Sequence, residues 1–293
     1  MPNLKEIRTR IASVQSTQKI TSAMKLVSAA KLRRAQNAII NLRPYSNKLD
    51  AILHDLSDPV DISNENKLFE QRKQENVVLI AIASNRGLCG AFNSNIIKEI
   101  DHVVNEKYKK QYQEGKLKLI CIGKKAAEQL QKKYEIMYVN EALLENSNFE
   151  EVDKIASDLM NDFINNKIDK IEIIYNRFVN PATQKITLEN YLPIVNVEEK
   201  SSQKATNTNF IFQPSQQELI NELIPKTLKL QLYKALLDSI ASEHGARMTS
   251  MAKATDNAIE MLKELKLKYN NARQATITNE LNEIVSGAEA LKN

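Results

Sequence analysis

Residues 85–93 could form a phosphate site, because they contain two glycines and join a predicted strand to a predicted helix. Backbone N–H groups at a helix N-terminus bind phosphate well. The spacing of Gly87 and Gly90 fits neither the G-x-G-x-x-G pattern nor the P-loop pattern G-x-x-x-x-G-K-[ST]. A tight structural turn is therefore the favoured interpretation. Cys89 within it is expected to be a small buried residue rather than a nucleophile.

Metal and thiol chemistry have little support in the sequence. His54, His102 and His244 stand far apart, and none has a second ligand at metal-binding spacing. Cys89 and Cys121 are the only cysteines, too few for a disulfide framework or a zinc ribbon, which indicates a reducing compartment. The sequence predicts no catalytic residue, no metal and no cofactor.

The chain that carries these residues is predicted to begin and end with a long helix. The first of only 6 glycines is Gly87, and apolar residues recur at three- and four-residue steps from Leu4 to about Leu56. Fifty-odd residues make a rod of roughly 80 Å, with Pro44 as a predicted kink or break. A second long helix is predicted from Gln216 to Leu291, and it is expected to be unbroken from about Lys226 to Ala290. This second helix has a seam of residues at steps of four, three, four and three that can pair with the first helix. The residues of the seam are Ala258, Leu262, Leu265, Tyr269 and Ala272.

The middle of the chain changes from helical to strand periodicity. Continuous apolar runs at 77–83 and 117–123 are typical of buried strands, and a weaker strand is predicted at 135–139. Strands are also predicted at 170–178 and 184–193, and because little sequence separates them they are expected to pair antiparallel as a hairpin. Helices are predicted at about 94–111, 124–133 and 149–166. The fold class is therefore α/β plus long helices: an antiparallel coiled coil with an inserted Rossmann-like α/β domain. The predicted ranges are 1–57 for the first shaft helix, 76–195 for the inserted domain and 210–293 for the second shaft helix.

The positive charge is concentrated at the N-terminus. Residues 1–43 contain nine lysines and arginines and a single acidic residue, Glu6. A solvated helix face is the ordinary explanation, but the near absence of acids favours an anionic partner. Nucleic acid is disfavoured, because residues 1–44 contain no aromatic side chain on which bases could stack. The longest apolar run, 77–83, is too short to cross a bilayer, so a soluble chain that reaches membranes through a partner is expected.

Three blocks of the sequence resemble the gamma subunits of F-type ATP synthases. The first covers residues 7–24 and 29–35 of the N-terminal helix, and the second is the turn at 86–93. The third, the most specific, covers residues 241–248, 254–258, 269–280 and 283–288. The blocks occur in order at both ends and in the middle of the chain.

The resemblance implies a rotating central stalk without a catalytic site. The implied partners are three alpha and three beta subunits, an epsilon subunit and a ring of c subunits, at the cytoplasmic face of a bacterial plasma membrane. The motif positions imply contacts with a beta catch loop: Arg247, Arg273, Gln274, Thr278 and Glu280. They also imply contacts with an acidic beta lever loop: Met24, Lys25, Lys31, Arg33 and Arg34.

Other features concern the foot of the stalk and two departures from the family pattern. Phe210, Ile211 and Phe212 form an apolar cluster in a polar stretch, so they are expected to contact the c ring or epsilon, with packing on the chain's own sheet as the alternative. Asn85 stands where the family usually has an aspartate. Gly245 stands where the family usually has an alanine, and a glycine in a helix interior lowers stability by roughly 0.5–1 kcal/mol relative to alanine.

Three rival functions differ in class. A nucleotide-dependent enzyme would need intrinsic nucleotide affinity in the α/β domain. A coiled-coil adaptor or nucleic-acid-binding arm is opposed by the tail motifs and the missing aromatics. A V- or A-type central stalk is all-helical, which the strands at 77–83 and 117–123 exclude.

Overall fold

A computed structural model describes residues 4–56, 67–194 and 216–290. The chain divides into two compact units, Met1–Ser28 with Met248–Asn293, and Ala29–Arg247. Helix α1 spans Leu4–Leu56 and the last helix, α7, spans Gln216–Ala290. Both long helices were predicted. Helix α1 continues through Pro44, so a break does not occur there, and the alternative of a kink stays a prediction.

In the first unit the two long helices pair through a seven-residue repeat. One series of buried or half-buried positions recurs every seven residues, at Ile7, Val14, Thr21 and Ser28 on α1 and at Met251, Ala258, Leu265 and Ala272 on α7. Further half-buried residues lie between them, such as Ile11 and Gln18 on α1 and Leu262 and Tyr269 on α7. A repeat of seven keeps one seam facing a partner helix, as in a coiled coil. Across this seam the Thr255 hydroxyl donates to the Thr21 hydroxyl at 2.8 Å.

The second unit contains a five-stranded sheet in the order β3-β2-β1-β4-β5. Strands β1 to β4 are parallel, and β5 pairs antiparallel with β4 through a hairpin. This confirms the predicted α/β sheet with a terminal hairpin. The strands are β1 Val77–Ile82, β2 Leu117–Ile122, β3 Glu135–Asn140, β4 Lys170–Asn180 and β5 Thr183–Leu192.

Shorter helices connect the strands and cover the sheet. The connection from β1 to β2 holds two helices where one was expected at 94–111. Right-handed crossovers place α2 and α4 on one face and α6 on the other, because β4 lies on the opposite side of β1 from β2. The helices are α2 Phe92–Glu106, α3 Lys109–Gln113, α4 Lys124–Leu130, α5 Leu143–Asn146 and α6 Phe149–Ile164, with a 3-10 turn at Lys67–Phe69 before β1.

Helix α7 is part of the core of this second unit. Every residue from 235 to 243 is buried, so the helix is enclosed on all sides rather than along one stripe. Gly245 follows this segment and packs against the β4–β5 turn. A Cβ atom at that position would lie 3.2 Å from the Pro181 Cα atom and 3.3 Å from its carbonyl oxygen. The absence of a side chain at Gly245 therefore leaves room for the β4–β5 hairpin, which explains why glycine stands here in place of alanine.

We predict that Gly245→Ala lowers the thermal stability of the chain, although alanine is the better helix former. The gain in helix propensity, about 0.5–1 kcal/mol, is opposed by overpacking against backbone, which costs about 1–3 kcal/mol. Gly287→Ala is the matched control, because nothing lies within 4 Å of a Cβ at that helical position. Calorimetric unfolding should give a lower midpoint for G245A and an unchanged or higher one for G287A. A midpoint for G245A above that of the wild type would contradict the packing role.

Candidate functional site

The side chains of Ser84 and Asn93 pair with each other and with the backbone at the turn after β1. The Ser84 N–H donates to Asn93 Oδ1 at 3.0 Å, and Asn93 Nδ2 donates to the Ser84 hydroxyl at 2.7 Å. The Ser84 hydroxyl in turn donates to the Arg86 carbonyl oxygen at 2.7 Å. Leu88 and Gly90 both have φ of 63°, which bends the chain sharply before α2. These bonds favour the structural interpretation of residues 85–93 over a phosphate site.

Asn85 connects the carboxyl ends of neighbouring strands. Its Nδ2 donates to the Glu141 carbonyl oxygen at 2.8 Å, next to the end of β3. Its Oδ1 accepts the Lys124 N–H at 3.1 Å, just after β2. An aspartate has no N–H with which to make the first bond. The side-chain amide of Asn85 therefore both donates and accepts a hydrogen bond, which explains why asparagine stands here in place of aspartate.

Helix α7 passes close to the carboxyl end of β1. The last paired residues of β1 and β4 are Ala81 and Ile174, and beyond them the two strands separate. The Ser239 hydroxyl donates to the Ile82 carbonyl oxygen at 3.4 Å. Ala246 forms a small buried cluster with Cys89 and Phe92. In open α/β sheets this crevice is where ligands bind, and here the chain's own helix lies beside it.

Arg247 joins α7 to the turn by charged hydrogen bonds. Its Nη2 donates to the Arg86 and Gly87 carbonyl oxygens at 3.1 and 3.3 Å, and its Nη1 donates to Glu243 at 2.6 Å. Arg247 and Glu243 are each 8% exposed. Burial raises the pKa of the Glu243 carboxyl, and the Arg247 guanidinium opposes that rise. The sequence placed Arg247 against a partner, so its internal bonds were not anticipated, and the partner contact stays a prediction.

His244 lies beside this pair as a neutral side chain. Burial lowers the pKa of its imidazole to about 4, and the positive charges of Arg247 and Lys31 act in the same direction. It is therefore uncharged at pH 7. Within the residues that the structure describes, no group of three or more His, Cys, Asp or Glu side chains could hold a metal ion.

The expected lever-loop contacts lie on α1 with their charges accessible. Met24 is half-buried, whereas the four cations are exposed: Lys25, Lys31, Arg33 and Arg34. Lys25 and Met24 belong to the first unit, and the other three belong to the second. Across residues 4–56, 67–194 and 216–290 no acidic side chain forms a salt bridge with these cations, although burial raises the pKa of the Glu243 carboxyl and the charge of Lys31 acts on it to oppose that rise. They are thus available to an external anionic partner.

The expected catch-loop contacts other than Arg247 lie exposed near the end of α7. They are Arg273, Gln274, Thr278 and Glu280, and the Thr278 hydroxyl donates to the Gln274 carbonyl oxygen at 2.9 Å. An exposed apolar stripe continues along the same stretch, which the sequence analysis did not single out. Its spacing of four, three and one residues could have revealed it: Ile277, Leu281, Ile284 and Val285.

The apolar cluster predicted to contact a partner, Phe210, Ile211 and Phe212, lies outside the described residues. None of the helices in the described ranges is both long and apolar enough to span a bilayer.

Comparison with known proteins gives matches along the whole chain. The family model described as ATP synthase matches residues 3–291. The ATP synthase gamma chain of Cytophaga hutchinsonii is 50% identical over 295 residues, covering 100% of both chains. That of Flavobacterium johnsoniae is 51% identical over 292 residues, covering 99% of both. A chain from the Euglena gracilis mitochondrial ATP synthase structure, OSCP/F1/c-ring, has a TM-score of 0.67 at 20% identity, over 98% of this chain and 94% of that one. The structural likeness shows the fold.

We predict that the purified chain binds ATP weakly or not at all. The spacing of Gly87 and Gly90 fits neither nucleotide-binding motif, and α7 lies against the crevice beside the turn. Isothermal titration calorimetry with Mg-ATP should show no saturable heat at micromolar concentration. Submicromolar binding at one site per chain would overturn this prediction and would favour the nucleotide-dependent enzyme.

Proposed function

The chain belongs to the ATP synthase gamma chain family, and from this premise we propose which of its residues couple rotation to catalysis. Its role is that of the family, the central-stalk subunit of the F-type ATP synthase, without a catalytic site of its own. The observation that carries this conclusion is the match over residues 3–291, with half of the residues identical to bacterial gamma chains.

The partners are the alpha and beta subunits, three of each, together with epsilon and the ring of c subunits. The proposed location is the cytoplasmic face of the bacterial plasma membrane, reached through the complex, with protons as the coupling ion. The proposed shaft consists of residues 1–57 and 210–293, and residues 76–195 form the inserted domain. Phe210, Ile211 and Phe212 are proposed to contact the c ring or epsilon.

One proposed contact is with the catch loop of beta, through Arg273, Gln274, Thr278 and Glu280. These side chains are exposed on α7 and offer donors and acceptors for hydrogen bonds. Bonds at a confined contact depend on each partner, because loss of one leaves the other buried and unsatisfied, at about 1–3 kcal/mol. Arg247 differs, since its guanidinium already bonds to the turn and to Glu243.

A second proposed contact is electrostatic, between an acidic lever loop of beta and the cations of α1. Lys25, Lys31, Arg33 and Arg34 are exposed, and Met24 lies beside them. Hydrated ion pairs contribute about 0.2–1 kcal/mol each, so they can form and break at every turn without locking the rotor. Attraction of this kind is a property of the group of charges rather than of any single residue.

We predict that single alanine replacements at Lys25, Lys31, Arg33 or Arg34 change turnover little. Replacement of all four by glutamate should impair assembly or coupling, because like charges then face each other at a cost of several kcal/mol. ATP hydrolysis and proton pumping in the assembled enzyme are the measurements. Reversal of the acidic residues of the beta loop should partly restore coupling.

Arg273→Ala and Gln274→Ala serve as the comparison, since each removes a proposed hydrogen bond and should impair coupling alone. If the quadruple glutamate variant hydrolyses ATP and pumps protons like the wild type, the electrostatic contact is refuted, and α1 then acts only as a steric shaft.

A further inference from the structure

Arg247 marks the point at which α7 ceases to be enclosed by the α/β domain. The helix is buried on all sides from 235 to 243, and beyond Arg247 its buried residues recur only every seventh position, at Met251, Ala258 and Leu265. The division into two compact units falls at the same place, between Arg247 and Met248. Along α7 itself, torque from the α/β domain reaches the rest of the helix through this point, and α1, which also crosses the division, is the other continuous connection.

The contacts before this point differ in their resistance to twisting. Most are apolar side chains, and apolar contact is not directional, so it opposes separation better than rotation about the helix axis. The Arg247 bonds are directional and lie at this point of the helix. Other directional bonds join α7 to the domain closer to its N-terminus: Gln231 to Glu189 and Asn190, Tyr233 to Ser147, Ser239 to Ile82 and Lys229 to Asp153. A planar guanidinium with a fixed fork of donors bonds two successive carbonyl oxygens, while Glu243 holds its other side. Rotation of α7 about its axis would break these bonds.

The turn that receives the bonds is itself tied to the sheet. Ser84 bonds to Asn93 and to the Arg86 carbonyl oxygen, and Asn85 bonds to the segments that follow β2 and β3. The carbonyl oxygen of Arg86 is therefore tied to the end of β1 through Ser84, and that of Gly87 is the next acceptor along the same turn. A continuous chain of bonds leads from three parallel strands to one guanidinium on α7.

We propose that Arg247 is a positioning residue for torque transfer, which fixes the rotational angle of α7 relative to the α/β domain through the Arg86 and Gly87 carbonyl oxygens. The inference rests on the rotor function proposed above. It assigns Arg247 a role inside the chain, which differs from a contact with the beta catch loop. Loss of the guanidinium leaves the catalytic sites of the complex intact, because they lie on other subunits, and weakens the link between their turnover and ion transport.

The test uses the assembled enzyme with Arg247→Met, which keeps a long side chain and removes every donor. We expect ATP hydrolysis without a proton gradient to stay near the wild-type rate, while proton pumping per ATP falls. Single-molecule recordings of a probe on the α/β domain should show broader angular fluctuations at rest, which is lower torsional stiffness. Lys234→Met is the matched control, an exposed cation on the same helix, and should match the wild type in all three readouts.

Two further variants separate torque transfer from a folding defect. Arg247→Lys keeps the charge but loses the fork, so pumping should be intermediate. Ala246→Cys, added to Arg247→Met, places a second thiol in the buried cluster of Cys89 and Phe92. Oxidation to the disulfide, verified by intact mass, should restore pumping and stiffness, and dithiothreitol should remove both again.

Two outcomes would overturn the inference. One is an Arg247→Met enzyme that pumps protons with wild-type stiffness. The other is an enzyme that loses hydrolysis and pumping together and regains neither on oxidation, since this indicates a purely structural residue. Failure of the rotor function itself would look different, because the wild-type chain would then show no rotation during ATP hydrolysis.

Discussion

The enclosure of α7 between the carboxyl end of β1 and the β4–β5 hairpin is the constraint on which the rest of the structure depends. The strand order changes direction at β1, with β2 on one side and β4 on the other. In most open α/β sheets a ligand binds in the crevice at such a switch point. Here Ser239 and Ala246 contact the strand end and the turn from α7. The domain thereby holds a helix of its own chain beside the position where open α/β sheets bind ligands.

Several local features follow from that enclosure. A helix buried on all sides must carry small residues where backbones approach, and Gly245 against Pro181 is such a position. It must also satisfy any polar group that it buries. Glu243 and Arg247 satisfy each other and the turn, and His244 avoids the cost of a buried charge by remaining neutral at pH 7. A buried ion pair is weak evidence for stability, so a role in fixing geometry is the better account of this one.

The sequence predicted the two long helices and the five strands, but it did not predict the division of 94–111 into α2 and α3 or the short helix α5. The three-and-four spacing predicted the long helices, the apolar runs predicted the parallel strands, and the short separation of the strands at 170–178 and 184–193 predicted the hairpin. The roles of Arg247, Gly245 and Asn85 could not be predicted in the same way. Each depends on a contact between residues distant in sequence, such as Arg247 with Gly87, and motif position or helix propensity contains no information about such neighbours. Pro44 shows the converse, because the helical pattern on both sides outweighs the local effect of one proline.

Residue-resolved hydrogen exchange on the purified chain tests most directly whether α7 is part of the core of the α/β domain. The amide protons of residues 235–247 should exchange as slowly as those of β1, Val77–Ile82, because both become exposed only when the whole unit unfolds. The two segments should also lose protection together as denaturant is added. Fast exchange in 235–247 while β1 remains protected would contradict the account, because the helix would then detach from a sheet that is stable without it.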